Sequence, residues 1–389
     1  MFHHDSRSYV VASGEAAKFG REKFEKIVEA GRASAEAVVH QVQSQVPLDR
    51  LVKASALSIK PFGSDGYALQ IPGELPVRLH NHALGQIADK TGVPHRYLQW
   101  LTDQGRDKKG NRQSEWGREL ATENINRLLF HANGHRNLIR QVTAENGPEI
   151  RGVLSDSFRR LDSRPLLDAF IGACQRIGAV PVEGFALDTK VRMRAVLPYV
   201  FEPVPNEPML FGIQWGNSDF GAGGHTLGLF NTRVTCTNLA TMDEVLRQIH
   251  LGRKLTDDDM VYSEQTLSLD LKTNVSALGD VVENYLSPDR VNGYMESIRQ
   301  AVAEKVDERD VTRILKAKLG KDEMSKVLDH YAGNDVINLP PGNNTYRLSN
   351  AVSWFAQDRN VSRNRQLELQ RIAGEILPPF VTAKETVEV

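Results

Sequence analysis

Apolar residues recur at helical spacing in the first and last thirds of the chain, whereas in the middle they alternate with polar residues as in β-strands. Residues 14–45 carry a modest apolar stripe among charged residues and predict one long helix that ends before Pro47. This helix is expected to pack either on a neighbouring subunit or on its own domain. Beyond residue 255 the spacing is helical again, and Pro378 and Pro379 end the last helix.

The region 66–101 combines a predicted hairpin with a pair of short helices. Residues 66–79 alternate as two strands, and Pro72 and Pro76 indicate the edge of a sheet. A short helix then ends at Gly92, and a second follows it. This spacing is similar to a DNA-binding helix-turn-helix, but the second helix (PHRYLQWL) is more apolar than a helix that reads a groove. A pair of core helices is therefore the favoured interpretation.

Short strand patterns with one clear helix, which begins near Pro165, fill residues 137–215. Consecutive hairpins without a regular strand–helix–strand rhythm predict an α+β fold with a largely antiparallel sheet and flanking helices, and they disfavour a Rossmann fold. The predicted units are an N-terminal helical arm, an α+β core domain, a helical C-terminal region and a loose tail, at 1–60, 61–255, 256–377 and 378–389.

A glycine-rich loop, a strand and a capped helix are predicted in quick succession after Trp215. Residues 216–224 hold four glycines among turn formers, residues 229–237 alternate as a strand with one largely polar face, and Thr241 with Glu244 has the spacing of a capping box. The loop is either a phosphate cradle of backbone amides or a hairpin connection. The hairpin is favoured, because no GxxxxGK[ST] or GxGxxG pattern follows a strand.

One predicted strand has a basic face, because the side chains of residues 190, 192 and 194 alternate with apolar ones. Residues 106–194 hold 16 Lys and Arg against 11 Asp and Glu, so positive charge is locally in excess. If arginines from other strands join this face, it suits a phosphate backbone. The predicted nucleic-acid-binding residues are Arg140, Arg151, Arg159, Arg160, Lys190, Arg192, Arg194 and Arg233. The alternative is a solvated face whose arginines pair with Glu149, Asp156, Asp162 and Asp188.

The composition is that of an ordinary soluble globular protein, with 25% charged and 40% hydrophobic residues and a net charge of −1, so global charge names no partner. Cys174 and Cys236 cannot make a disulfide framework and are expected to be small core residues in a reducing compartment. The start of the chain lacks the apolar core of a signal peptide, and no run is long enough for a membrane span. A cytoplasmic location is therefore expected.

Catalytic and metal-binding patterns are sparse. The sequence has no nucleophile elbow, HExxH, CxxC or kinase motif, so an enzyme is not the favoured class and no catalytic residue or cofactor is predicted. His131 and His135 are spaced like ligands, but Asn133 and Gly134 between them favour a loop. A site of Asp219 with His225, Cys236 and His250 has no supporting spacing. Metal is expected to be dispensable.

Several segments together resemble one protein family. They are HALGQIADKTGVPHRYLQWL, RGVLSDSFRRLDSRPLLDAF, IQWGNSDFGAGG, RVTCTNLAT and YRLSNAVSWFAQD, and they span roughly residues 80–370 in order. The chain resembles the phage/plasmid-like proteins, labelled domain of unknown function 932. It departs from their pattern at Phe158 and at Asn238-Leu239, where the family favours a tyrosine and Asn-Gly. The resemblance implies a mobile genetic element in a bacterial host, and no established activity.

A basic strand face without a catalytic set predicts a nucleic-acid-binding protein. The specific hypothesis is an oligomeric protein that binds or anneals single-stranded DNA, with the phosphates held and the bases left available. A homo-oligomer is expected, because the helical regions offer more apolar surface than one sheet covers. The alternatives are a host-directed anti-defence protein and a divalent-metal nuclease that uses Asp156, Asp162 and Asp219.

Overall fold

The protein is mixed α+β, with antiparallel sheet, flanking helices and helical segments at both ends, as the sequence predicts. The computed structural model describes residues 9–132, 136–234, 262–333 and 339–378, and the backbone of 239–248. His135, Cys236, His250 and the expected loose tail beyond Pro378 lie outside the described residues.

The N-terminal part of the chain forms one long helix followed by strands and three short helices. Its elements are α1 (Gly14–Ser44), β1 (Leu48–Lys53), β2 (Ser58–Phe62), β3 (Gly66–Gln70), β4 (Val77–Leu79), α2 (Asn81–Thr91), α3 (His95–Asp103), α4 (Trp116–His131), β5 (Arg136–Ala144) and β6 (Gly147–Ser155). The boundaries of α1, and of α2 before its left-handed cap at Gly92, confirm the helical patterns read from the sequence.

The first sheet has the order β1-β5-β6-β4-β3-β2, and only its β4–β6 pair is parallel. The predicted hairpin is present as β3 and β4, but its expected position at an edge is wrong, because β4 pairs with β6. Pro72 and Pro76 lie in the connection between the two strands, where a missing N–H costs no ladder bond. The helices α2, α3 and α4 cover one face of the sheet with a shared apolar core. The helices α2 and α3 thus pack as a pair of core helices, which is the interpretation that the sequence favours.

The second half begins with a helix and five consecutive strands. They are α5 (Ser163–Arg176), β7 (Val180–Ala186), β8 (Val191–Val196), β9 (Met209–Asn217), β10 (His225–Arg233) and β11 (Leu239–Gln248). The five strands form the second sheet, a fully antiparallel meander in the order β11-β10-β9-β8-β7. The predicted hairpin connection is confirmed between β9 and β10.

The segment after β10 corrects the prediction of a capped helix at residues 241–250, because Leu239–Gln248 is strand β11. It pairs antiparallel with β10 and has two register shifts. The capping-box spacing of Thr241 and Glu244 is a local signal, and β10 offers this segment a full row of backbone partners. The sequence predicts one buried and one largely polar face for β10, and in the structure both faces are covered, since all its residues except Thr226 are buried.

Six further helices complete the described chain. They are α6 (Glu264–Tyr285), α7 (Pro288–Ala303), α8 (Glu308–Lys316), α9 (Lys321–Ala332), α10 (Thr345–Phe355) and α11 (Arg363–Ile376). The helices α5, α6 and α7 pack on one face of the second sheet around Trp215, while α8 to α11 form a core of their own. In the described residues, no helix is both long enough and apolar enough to cross a membrane.

The helices α1 and α11 cover the other face of the second sheet. Of the two predicted positions for α1, the structure shows packing on its own domain: Ile27 lies on the α11 side of the sheet, and further along the helix Val38 and Val42 are buried in the core around Trp215. Close approach depends on Gly31, since a Cβ at this position would overlap the carbonyl of Val182. The sheet is thus a middle layer, and the helices on this face decide which of its polar side chains reach solvent.

Candidate functional site

The basic face of β8 is present, and it faces α11. Met193 and Ala195 point into the core with Trp215, as the alternation predicts. Arg192 and Arg194 point the other way, where each lines a separate cavity beneath α11. The sequence therefore placed these side chains on the correct face, and the covering helix gives them different surroundings.

Arg194 lies at the covered end of this face and is 2% exposed. Its guanidinium donates to Glu183 Oε2 over 2.7 Å and to Gln370 Oε1 over 2.6 Å. The rings of Phe185 and Phe230 lie 5.3 and 5.6 Å from its central carbon. Its charge is thus neutralised and enclosed, so Arg194 belongs to the framework of the protein, which corrects its prediction as an exposed binding residue.

Lys190 and Arg192 lie at the open end of the same face, where they line a cleft of about 430 Å³. We call it the basic cleft. Its floor is formed where β8 begins and β9 ends, and one wall is the loop between β9 and β10. The other wall is residues 364–371 of α11, which contribute Asn364 and Arg371. Lys190 and Arg192 are half-buried, while Asn364 and Arg371 are exposed.

Positive charge exceeds negative charge in the basic cleft. Among the described residues that line it, Glu368 is the one acid, and its carboxylate pairs with Arg365 at 2.6 Å. Burial lowers the pKa of Lys190, and the like charge of Arg192 lowers it further. Lys190 and Arg192 therefore repel each other across a concave surface, and an anion placed there would relieve the repulsion.

Hydrogen bonds hold the loop between β9 and β10 in place. Ser218 Oγ donates to the carbonyl of Thr189 over 2.7 Å and accepts the amide N–H of Ala222 over 2.8 Å. The carbonyl of Phe220 accepts from Gln86 Nε2 over 2.8 Å, which ties the loop to α2. Gly223 at the tip is exposed, and a Cβ there would meet nothing within 4 Å. A fixed loop thus brings open backbone to the basic cleft, although no nucleotide-binding motif is present.

Gly216 lies on the floor of the basic cleft, where the lack of a side chain keeps the cavity open. A Cβ at this position would lie 3.0 Å from Thr226 Oγ1 and 3.2 Å from Arg192 Cγ. Both contacts are tighter than ordinary van der Waals distances, so a side chain here would displace Arg192 or fill the cavity. The glycine therefore leaves space for a ligand next to the arginine.

Three other predicted residues are buried ion-pair partners, which corrects the prediction that they share one exposed face. Arg140 and Arg151 lie in the first sheet, not the second, and Arg233 lies on β10. Each is at most 5% exposed. Their partners are Asp49 and Asp162 for Arg140, Glu149 for Arg151, and Glu207 for Arg233, at 2.6 to 2.8 Å. The alternative that arginines pair with Glu149 and Asp162 describes this part of the molecule.

Arg159 and Arg160 lie between β6 and α5 and also have acidic partners. Arg159 makes two hydrogen bonds to Asp270 on α6, at 2.5 and 2.7 Å. Arg160 lies 3.4 Å from Asp49 and 3.3 Å from Glu264. These contacts join α6 to the start of α5, so the structure does not bring the two arginines to the basic cleft.

The carboxylates of the nuclease alternative do not gather into a metal site. Across the described residues, no group of three or more His, Cys, Asp or Glu side chains could hold a metal ion. Asp219 is half-buried, and its carboxylate accepts from the N–H and hydroxyl of Ser163 over 2.8 and 2.7 Å. Burial raises its pKa, while Asp162 beside it pairs with Arg140. The observation that would support a two-metal mechanism is therefore not found there.

Two residues of the basic cleft, Asn364 and Arg371, were missed at the sequence level. The apolar spacing of the last helix predicted Leu367 and Ile372 as inward positions, and Arg371 adjoins them. Nothing local marked which strand this helix would cover. No family model, curated protein or solved structure matches the chain, so a function is inferred from the chemistry of the cleft.

Proposed function

We propose that this protein binds nucleic acid by holding backbone phosphates in the basic cleft, with single-stranded DNA as the favoured ligand. One observation carries the proposal: Lys190 and Arg192 face the same cavity as Arg371, and the acid that lines this cavity, Glu368, is already paired with Arg365. No bond of the ligand has to break, which suits a site with no catalytic group.

Phosphate fits the chemistry of these walls. A guanidinium offers a planar fork of donors to phosphate oxygens, and an ammonium offers a compact charge. The exposed backbone at Gly223 and the amide of Asn364 add neutral polar groups beside the cations. Proteins use this combination of charged and neutral groups to position a phosphate backbone without reading its sequence.

A single strand suits the shape of the basic cleft better than a duplex. Proteins that read double-stranded DNA insert a protruding helix or ribbon into a groove. Here the cations lie in a depression between a sheet and α11, so the ligand must enter the protein. A flexible strand can bend into such a depression, whereas a stiff duplex cannot.

The proposal is tested by the salt dependence of binding to a labelled oligodeoxyadenosine, measured by fluorescence anisotropy. Each phosphate contact with a single strand contributes about 0.7 to the slope of log K against log salt. The double variant Lys190→Ala with Arg192→Ala should therefore flatten the slope by about 1.4 and weaken binding. Both side chains are half-buried at the mouth of a cavity, so the fold should be retained.

A matched control removes the same charges elsewhere. Arg313 and Lys316 are exposed on α8, and the variant Arg313→Ala with Lys316→Ala also loses one arginine and one lysine. Its slope should equal that of the unmodified protein. Equal slopes for the cleft variant and the control would place the contacts outside the basic cleft, and no binding at low salt would reject the proposal. A host-directed interaction would then be the function to test.

The proposed binding does not require assembly. The residues that line the basic cleft come from one chain, and α1 packs on its own sheet. The predicted homo-oligomer remains a prediction, which light scattering with and without the oligonucleotide would test. In an annealing protein, assembly would place several such clefts along one strand.

A further inference from the structure

A second cavity of about 400 Å³ lies beside the basic cleft under the same helix. It lies between α1, the strands β7, β8 and β10, and α11, and we call it the amide pocket after Gln370 on its wall. Leu367 lines both cavities. Arg192 faces one and Arg194 faces the other, and residues two apart on a strand are separated by about 7 Å. A single nucleotide is long enough to reach both.

The walls of the amide pocket are largely apolar. Val182, Val196 and Phe230 are buried side chains of the sheet, and Ile27 faces them from α1. The positive charge of Arg194 is neutralised here by Glu183 at 2.7 Å. A second phosphate would gain little in this pocket, whereas a flat, uncharged group would cover the apolar walls.

Gln370 gives the amide pocket a hydrogen-bond donor of fixed orientation. The side chain is 8% exposed, and its Oε1 accepts from Arg194 over 2.6 Å. A guanidinium can only donate, so the oxygen must face Arg194 and the NH₂ group is the remaining end. The pocket therefore presents N–H donors to a ligand that carries acceptors at its edge, as every nucleobase does.

We infer that the amide pocket takes a nucleobase whose phosphate lies in the basic cleft. This inference rests on the proposed function and adds the part of the ligand that is recognised. A nucleotide has a charged end and a flat neutral end, and the two adjacent cavities have the matching polarity. The nucleotide is either a unit of a strand or a free monophosphate, and the experiment separates these sources.

The test compares oligodeoxyadenosine with a strand of equal length in which every base is replaced by an abasic unit. Both probes carry the same phosphates, so the ratio of their dissociation constants isolates the bases. One base held by an aromatic or apolar surface changes affinity by about tenfold. The unmodified protein should therefore bind the abasic strand about tenfold more weakly at fixed salt.

Ala30→Phe should remove this preference while phosphate binding persists. Ala30 is exposed and lines the amide pocket, so a phenyl ring there would occupy it. Ala33→Phe is the matched control, because Ala33 is exposed on the same helix and does not line the pocket. The ratio of the dissociation constants of the abasic strand and oligodeoxyadenosine should fall to about one in Ala30→Phe, with the salt slope unchanged. The same ratio should stay near tenfold in Ala33→Phe.

Gln370→Glu is a second variant that keeps the shape of the side chain. A carboxylate still accepts from Arg194, but it no longer donates, so the preference for the strand with bases should fall. The added negative charge weakens binding of both strands and cancels in the ratio. This variant tests the donor even if Ala30→Phe disturbs the packing of α1.

The outcomes separate this inference from the proposed function. Equal binding of both strands by the unmodified protein, or a tenfold ratio that survives Ala30→Phe, would overturn the nucleobase site and leave phosphate binding intact. Absence of binding to either strand would reject the proposed function. Deoxyadenosine monophosphate is then the decisive probe in calorimetry: binding that Ala30→Phe and Arg192→Ala both weaken would support the nucleobase site with a free nucleotide as its ligand, and no binding would overturn it.

Discussion

Arg192 and Arg194 lie two residues apart on the same face of β8, yet one lines an open cleft and the other is enclosed. Arg194 has a carboxylate, two side-chain amides and two aromatic rings around its guanidinium. Arg192 instead lies beside Lys190, whose pKa its charge helps to lower. The same residue type thus belongs to the framework of the protein at one position and lines an open cleft two residues earlier.

The difference comes from the surroundings of each charge. A buried arginine is tolerated when acids and hydrogen-bond acceptors replace water, and its cost of desolvation is then largely offset. Two like charges at a cavity mouth keep part of their water and attract a mobile anion instead. Charge on a strand face is therefore enclosed where neighbouring elements surround it, and the hydrogen-bond partners that surround Arg194 come from β7, β9 and α11.

The largest effect that would sharpen this comparison is on stability. Arg194→Ala should lower the free energy of unfolding by about 3 kcal/mol, since it leaves Glu183 and Gln370 without their partner in a largely enclosed site. Arg192→Ala should change it by less than about 1 kcal/mol, because Arg192 is half-buried at an open cleft. Urea unfolding of the two variants measures both values. Equal losses would mean that the two positions do not differ in role.

The side-chain direction along β8 could be predicted from the sequence, because alternation is a local property of a strand. The elements that cover this face of β8 could not be predicted. The residues that enclose Arg194 include Gln370, 176 positions later in the chain, and no local pattern pairs the two. The same limit applies to Arg140, whose partner Asp49 is 91 positions away. A basic stripe in a sequence therefore shows which residues share a face, but not which of them solvent can reach.

The element types show the same division between local and distant information. The hairpin of β5 and β6, the helix α5 and the C-terminal helices follow from periodicity and turn residues. By contrast, the sequence predicts a helix where β11 lies, because Thr241 and Glu244 have the spacing of a capping box. Pairing with β10 overrides that local signal. The hydrogen-bond partners of β11 are backbone groups of β10, and the sequence of β11 does not reveal that they are there.

The second prediction concerns the pH dependence of binding, which should depend on Lys190 at the open end of the β8 face. Burial and Arg192 lower the pKa of Lys190, so its ammonium loses the proton at a lower pH than an ordinary lysine. Affinity for oligodeoxyadenosine should therefore decline as the pH rises toward 10, by about fivefold when the contact is lost, whereas arginines stay charged. Anisotropy titrations between neutral and alkaline pH measure the decline. Lys190→Arg should abolish it, and a decline that persists in this variant would assign it to another group.

The smallest expected effect concerns the wall of the basic cleft opposite β8. Arg371 on α11 is exposed and lies 3.6 Å from Glu375, so part of its charge is already compensated. Arg371→Gln should weaken binding of the single strand by about threefold and flatten the salt slope by less than about 0.7. Glu375→Gln should do the opposite, because it releases Arg371 for the phosphate. The alternative outcome is that Arg371→Gln changes neither affinity nor salt slope, while the Lys190 and Arg192 variant changes both. The single-stranded DNA would then contact Lys190 and Arg192 but not Arg371, and α11 would cover the face without taking part in binding.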